Sequence, residues 1–590
     1  FSVFARRRTL LRRALMHRGR LALAVGGILA IALGYVTYQR WGPSPGYTRL
    51  VVLPFDNLGA AEDAYLVDGL TGELMNQLSV IKSLGVIARS SAFQYKGSRK
   101  PAREIGRELN VKYLIEGSVR RKRSAGDRDS VRVNARLVRV RDDIQIWTDD
   151  YAVEARDVTA VQSRIAQRVA AELNLALLEP ERQRLARRST RDAEAYDYYL
   201  RGNDHYARSW SRPDVEAAVR MYEKAVDIDP DYALAYARLA RAHTWMHRLD
   251  YDVSEDRLVA AKRAADRALA LDPDLPAAHV ALGLYYYWGR RNYQRAIDAF
   301  TVATNLEPSN AEAYRQIGNV RRRQGRFDDA IESYRKSADL DPRSHQVWYN
   351  LGETFLFTHR YEEARPYLDR VTGLAPDFLE GYIQRARLVI NAGGDLATAR
   401  RILTEAEERI PPAAWRSTML DLSRVVYHPQ LDGLLTRIRP GAYGLDSAAY
   451  HYLKAMMLLQ LGRRGPANAH FDSARIRLER MREELPDHPP VHAALGVAYA
   501  ALGRSSEAIR SAERAVQLQS VAEDAFDGPD KLANLALVHA VLGHEEKAIE
   551  YYSQVIAIPS WISANFLRVD PILALLRRQP AFQRLVAGSR

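Results

Sequence analysis

Residues 308–342 read PSNAEAYRQIGNVRRRQGRFDDAIESYRKSADLDP, and their spacing decides the fold of most of the chain. Ile317-Gly318 is followed twelve residues on by Ala330, then by Tyr334, and Pro342 falls twelve residues after that alanine. The same order recurs in Trp348, Leu351-Gly352, Ala364, Leu368 and Pro376, so that Pro308, Pro342 and Pro376 lie 34 residues apart. A fixed period of this length marks stacked supersecondary units, here pairs of helices. The small residue lets the two helices of a pair approach closely. The aromatic is expected to fill the space toward the next pair, and proline ends the second helix because it cannot continue one. No single pair buries its own apolar face. Neighbours must stack, and the stack is expected to twist into a superhelix with a concave groove.

Looser copies surround this stretch. Gly283, Ala296, Phe300 and Pro308 carry one extra residue, while Gly202, Ala218, Tyr222, Pro230 and Ala240, Ala261, Ala265, Pro273 have longer turns between their helices. Ala386, Ala399, Leu403 and Pro411 keep little of the pattern, and a degenerate stretch follows around Trp415–Pro440. Ala455, Ala467, Phe471, then Gly496, Ala508, Ala512, then Ala536, Ala548, Tyr552 recover it, giving about nine copies over residues 195–590. The pattern resembles the tetratricopeptide repeat. That resemblance implies an α-solenoid that holds protein or peptide partners. Arg315, Asn319, Arg322 and Asn350 project toward the predicted groove and partly resemble the carboxylate clamp of some tetratricopeptide domains, since arginine forks suit carboxylates. Glu380 and Gln384 stand where the next repeat of such a clamp carries cations, and a plain solvated helix face is the alternative.

Upstream, residues 48–178 read as a small mixed α/β domain. Arg49–Phe55 is a β-branched run closed by Pro54 and a turn, Ala64–Val80 has apolar residues at helical spacing, and Leu84–Ala88 is a second strand. Pro101–Leu109 reads as a short helix and Tyr113–Val119 as a strand ending in a kink at Glu116-Gly117. Val131–Val140 and Ile144–Tyr151 alternate around Asp142-Asp143 as a hairpin, and Val158–Leu178 reads as one long amphipathic helix. Residues 52–58 (VLPFDNL), 68–71 (DGLT), 89–91 (RSS), 104–109 (EIGREL), 113–119 (YLIEGSV) and Ile146-Trp147 resemble the TolB-like domain found beside tetratricopeptide arrays in bacterial envelope and signalling proteins. The acids near Asp68-Gly69 read as a helix cap with a packing glycine. Residues 179–194 form a linking helix.

Residues 1–47 carry eight arginines and no acid, leaving only +6 of the net charge of +14 for the other 543 residues, where Asp and Glu interleave. A phosphate-tracking face needs clustered cations, so the body is not expected to bind nucleic acid. Residues 1–20 read as a basic cytoplasmic segment, and 39–47 as a linker. Leu21–Tyr38 is uncharged over eighteen residues, about 27 Å of helix against a hydrocarbon core of about 30 Å. With seven arginines before it, the segment predicts a single transmembrane helix, N-terminus cytoplasmic and bulk periplasmic, in a bacterial inner membrane. The expected fold class is therefore α/β plus all-α, namely one transmembrane helix, the TolB-like domain and the tetratricopeptide solenoid.

Enzymatic signals are sparse. The sequence has no cysteine, no G-x-x-x-x-G-K-[ST], no G-x-S-x-G and no H-E-x-x-H. His243 and His247 stand one helical turn apart with Asp250 and Asp252 beyond, a spacing that chance supplies often in a polar turn. No catalytic residue, metal or cofactor is expected within the chain. The expected function is a membrane-anchored interaction scaffold or sensor in signalling or envelope assembly. The alternative, carried by resemblance alone, is the sensory C-terminal region of a membrane serine/threonine kinase, a transcriptional regulator or an adenylate cyclase.

Overall fold

The alternation between residues 130 and 154 becomes one of the two longest ladders of the N-terminal unit. In the computed structural model of the chain, which describes residues 47–123, 129–154, 157–410 and 447–587, the strands are β1 (Thr48–Val52), β2 (Asp56–Asn57), β3 (Leu84–Val86), β4 (Tyr113–Lys122), β5 (Ser130–Arg139) and β6 (Ile144–Glu154). They form one sheet in the order β3-β1-β4-β5-β6, with β2 also paired to β4. β1 runs parallel to β4, while β4–β5 and β5–β6 are antiparallel, with a register shift between Leu137 and Val138. β5 buries Val131, Val133, Ala135 and Leu137 on one face, as period-two patterning requires. The turn before β6 closes through Asp143 in the left-handed region, which Asp tolerates better than most residues.

Glu116-Gly117 does not end a strand. Gly117 lies inside β4 opposite Ala135, and a Cβ there would meet the Asn134 carbonyl oxygen at 2.2 Å and the Phe55 ring at 3.2 Å. Glycine at this point lets the neighbouring backbone and Phe55 close over the strand. The predicted helix 158–178 is also shorter than its pattern. It runs Val158–Glu172, Asn174 turns to positive φ, and a separate helix follows over Glu179–Ala186.

Helix α1 (Ala64–Ser79) packs against Val158–Glu172 on one side and against the first solenoid helix on the other. Gly69 sits in mid-helix, with Leu200 2.5 Å from where a Cβ would be, so it is a packing glycine. Asp68 is no cap. It pairs with Lys96 at 2.6 Å, and its carbonyl accepts from Arg89 at 3.0 Å. One continuous apolar core runs from Leu50 through Val169 into Tyr196, Tyr222 and Ala281. The sheet unit and the first repeats are thus fused rather than strung on a linker.

From Ala193 the described residues form nine helical hairpins. Their inner helices are Ala193–Arg208, Ala233–Arg248, Pro276–Leu284 with its continuation to Gly289, Ala311–Arg323, His345–Phe357, Leu379–Gly393, Ser447–Gln460, Pro489–Ala501 and Gly528–Val541. The degenerate stretch 415–440 lies outside the described residues. The motif's aromatic packs differently from the sequence expectation. It fills the notch of its own repeat's glycine: a Cβ on Gly202, Gly283 or Gly318 would stand 2.5 Å from the ring of Tyr222, Phe300 or Tyr334. That contact fixes the spacing, because any larger residue pushes the hairpin open.

The expected fold class needs correcting. Among the described residues no helix is long and apolar enough to cross a membrane, and the predicted span 21–38 lies outside them. The architecture that stands is a mostly helical repeat solenoid with a small N-terminal sheet region. The single-pass anchoring and the inner-membrane, periplasmic location are not carried forward.

Candidate functional site

Two zones of the solenoid's inner surface concentrate polar side chains. The first lies where repeats four to six meet the C-terminal part of the chain. Arg322 donates to Glu353 at 2.6 Å, Gln384 to Glu353 at 3.3 Å, and Arg387 to Gln384 at 3.1 Å. Arg322, Glu353 and Gln384 are successive 31-residue steps along the inner helices, so one polar ladder crosses three repeats. Asn319 and Asn350 form the rung beside it. The Asn319 oxygen accepts from Tyr334 at 2.8 Å and from Asn350 at 3.2 Å.

A segment of the same chain covers this ladder. The loop between Leu518 and Gly528 lays Phe526 under the Arg322 guanidinium at 3.7 Å, and Phe526 packs on Phe357 and Trp561 at 4.7 and 5.3 Å. Arg323 donates to Asp524 and to Asp527, each at 2.6 Å, and its carbonyl accepts from the Ala525 amide at 2.7 Å. Burial works against Asp527, yet Arg323, with Lys531 and Arg322, holds its carboxyl well below the usual range. Farther along, Ser563 and Asn565 bond to Asn391. The solenoid therefore winds back on itself, and its own loop fills the groove at this level.

The second zone is a cavity of about 720 Å³ between the sheet unit and the inner helices of repeats one to five. α1, the end of β3 and the segment after it form one wall, lined by Gly69, Met75, Val86 and Ala88. Facing them are Arg238, Arg241, Ala277, Val280, Glu312 and Arg315. Arg241 pairs with Glu312 at 2.7 Å. Burial pushes the Glu312 carboxyl up, but Arg241, Arg315 and Arg238 outweigh it and hold the group below its ordinary value. Arg238 sits beside the Tyr199 and Tyr222 hydroxyls, its Nε has no hydrogen-bond partner, and it has no carboxylate at ion-pair distance among the described residues. Burial raises the Glu307 carboxyl to about 7 and pushes Glu73 up as well, although Tyr199 donates to Glu73 at 2.7 Å. At the rim, Ser91 donates to Asp341 at 2.5 Å and Ser90 bonds to the same carboxylate, tying the sheet unit to the turn after repeat four.

The four residues singled out from sequence thus separate. Asn319, Arg322 and Asn350 share the covered ladder, whereas Arg315 faces the cavity. His243 accepts from Arg257 at 2.9 Å, and burial together with that arginine lowers it to about 4, surroundings that repel a metal cation. Sequence reasoning passed over Phe526, Asp524, Arg238 and Glu312. The available signal was the run Asp524-Ala525-Phe526-Asp527 in an inter-repeat turn longer than its neighbours.

Residues 315–377 and 489–521 match family descriptions that read tetratricopeptide repeat. Over those two stretches the helical hairpins match the tetratricopeptide repeat. Among curated proteins the chain is similar to "Putative adenylate cyclase 3" of Rhizobium meliloti (strain 1021), 36% identical over 197 residues, which is 33% of this chain and 32% of that protein. It is also similar to "Protein O-mannosyl-transferase TMTC1" of Homo sapiens, 34% identical over 92 residues, 15% of this chain and 10% of the relative. The matched stretches span a third or less of both relatives. Similar solved structures include that of Pseudomonas aeruginosa pilF, with 20% identity, a TM-score of 0.29 and 39% of this chain against 91% of that one. Another is YrrB, titled a TPR protein with an unusual peptide-binding site, at 18% identity and a TM-score of 0.25, covering 32% of this chain and 91% of that one.

Proposed function

We propose that the chain is a non-catalytic protein-interaction scaffold in which the tetratricopeptide solenoid, residues 195–590, presents its inner surface to a peptide partner. The fused sheet unit, which we take as a TolB-like domain over 48–178 joined through 179–194, shapes one end of that surface. The observation carrying this reading is the polar ladder on successive inner helices, covered by an acidic-aromatic segment of the chain itself. A surface that holds Asp524-Ala525-Phe526-Asp527 through Arg322 and Arg323 is chemically suited to an acidic peptide with an aromatic residue. In this reading Asn319, Arg322 and Asn350 form a peptide site shared with the chain's own loop, and Arg315 flanks it.

The test is a peptide display panel of acidic-aromatic sequences against the full chain and an Arg315→Glu, Asn350→Ala variant. Loss of the selected binders in the variant supports the reading, and equal binding sinks it.

A second reading draws on the 36% identity to a putative adenylate cyclase: the repeats serve the regulatory part of a signalling enzyme of that class. Expression of the coding sequence extended upstream of Phe1 should then raise cellular cyclic AMP. An unchanged level removes this alternative, and a kinase assay on the same product tests the serine/threonine kinase option.

A further inference from the structure

Several buried arginines in this molecule are matched by carboxylates. Arg322 has Glu353, Arg323 has two aspartates, and Arg241 has Glu312. A desolvated guanidinium is stabilised by a carboxylate at contact distance, and these pairs supply one. The cavity beside α1 departs from this pairing. Arg238 lies one turn before Arg241 on the inner helix of repeat two, and Arg315 one turn after Glu312 on the inner helix of repeat four. Among the described residues neither makes an ion pair, and the structure gives Arg315 no hydrogen bond. Glu312 is held among Arg238, Arg241 and Arg315, while Glu73 and Glu307 act on Arg238, and Asp341 on Arg315, only through space and without an ion pair.

Two further features add donor capacity on the same wall. Ser309, only 6% exposed, directs a hydroxyl with no partner at the cavity. Glu307, next to it, is raised to about 7 by burial, against the Asn310 bond at 2.7 Å that favours its charged form, so it is about half neutral near pH 7. The inner helix of repeat three supplies Ala277 and Val280 between the two arginines, and Met75 and Val86 stand across the space. At about 720 Å³ the cavity falls in the range of about 300–1,000 Å³ typical of small-molecule sites, with the usual mixture of apolar lining and few convergent polar groups.

We propose that this cavity binds a small amphipathic organic anion, its oxyanion group held by the wall of Arg238, Arg315 and Ser309 and its apolar body against Met75, Ala277 and Val280. Carboxylates and phosphates both match a guanidinium fork. The site lies between the sheet unit and the solenoid, so its occupancy also braces one against the other. It stands apart from the peptide reading through Arg238 and Ser309, which are no part of the covered ladder; Arg315 alone is common to both, so Arg238→Gln is the variant that separates them.

Equilibrium dialysis on the full chain tests it, with octanoate, phenyl phosphate, inorganic phosphate and the neutral octanamide as probes. One saturable site for octanoate or phenyl phosphate is expected, with octanamide at least tenfold weaker and inorganic phosphate weak for want of an apolar body. Preference for octanoate assigns a carboxylate ligand, and preference for phenyl phosphate assigns a phosphate. Arg238→Gln should weaken the preferred probe by at least tenfold. Arg315→Gln, at a partly exposed position where folding is under less threat, should do the same. No saturable binding of either amphipathic anion, octanamide bound as tightly as octanoate, or unchanged affinity in Arg315→Gln would overturn the proposal.

Discussion

The covered ladder and the cavity lie on the same inner surface, are built from the same inner helices and are both rich in arginine, yet they end in opposite states. At the ladder every cation meets a carboxylate or a ring, and Phe526 and Trp561 exclude water. At the cavity Arg89, Arg238 and Arg315 have no carboxylate at ion-pair distance among the described residues, and three carboxyls, Glu73, Glu307 and Asp341, are pushed toward protonation by burial. The difference follows from what was brought up against each zone. A loop from 200 residues away carries its own acids and aromatics into the first. The sheet unit turns Gly69, Gly72, Met75 and Val86 toward the second, and with them Glu73 and Arg89. One surface is closed as structure, and the other is left with unspent charge.

The sharpest way to break this contrast is Arg323→Ala. It takes the Arg323 cation from Asp524, whose side chain is only 3% exposed and keeps only neutral donors such as Tyr293 and Gln519, and removing one partner of a buried pair costs about 3–5 kcal/mol. Urea unfolding followed by circular dichroism should show a loss of that order. A loss below about 1 kcal/mol, the range of an exposed pair, would mean that the loop is not docked in solution.

Phe526→Ala comes next. Deleting a buried phenyl typically costs about 3 kcal/mol or somewhat more, and here it would uncover Arg322, Phe357 and Trp561 together. The matching change at the cavity is Trp210→Ala. Trp210 is 46% exposed and stacks on Trp245 at 5.0 Å, so its removal should cost about 1 kcal/mol. Equal losses for the two aromatics, by the same unfolding measurement, would erase the distinction between a packed seam and an open rim.

The two zones should also respond oppositely to pH. Asp527 is depressed in the folded state, so its contribution is present above the ordinary aspartate range and is lost as pH falls below it. Glu307 is raised from 4.5 to about 7, so the folded state binds the extra proton, and that contribution is lost as pH rises between those values. Hydrogen exchange from pH 5 to 7.5, corrected for intrinsic rates, should show falling protection around residues 307–312, flat in Glu307→Gln. The loop 519–528 should stay protected across the same window. A parallel response in both places would rule out the assignment.

The sequence exposes local periodicity well and long-range docking poorly, and particular residues show why. The spacing of Gly318, Ala330, Tyr334 and Pro342 defines a hairpin because all four act within one helix pair. The strands around Asp142-Asp143 follow from alternation and one turn, again a local matter. Nothing local says that Phe526 will sit under Arg322, or that Gly69 of α1 leaves room for Leu200, since each contact joins surfaces set by the winding of the whole array. The clamp reading failed to bring Arg315 together with Asn319 and Arg322 for a related reason. Residues 315 and 322 are seven apart, but they face zones occupied by different parts of the chain.

The smallest expected effect concerns the rim, where the sheet unit meets the solenoid outside either zone's centre. Ser91, fully buried, donates to Asp341 at 2.5 Å and also accepts from the Arg343 amide at 2.9 Å. Ser91→Ala removes both, leaving Asp341 with Ser90 and Ser344 as serine donors. A hydrogen bond to a charged group contributes about 1.5–3 kcal/mol, but Asp341 is already raised by burial and gives up part of its charge, so a loss nearer 1 kcal/mol is expected. The sheet unit shares its core with repeats one to three, so this loss should not release it. Circular dichroism should show a single unfolding transition shifted slightly downward. Two separated transitions in Ser91→Ala would mean that the rim, rather than the shared core through Tyr196 and Leu200, joins the two parts.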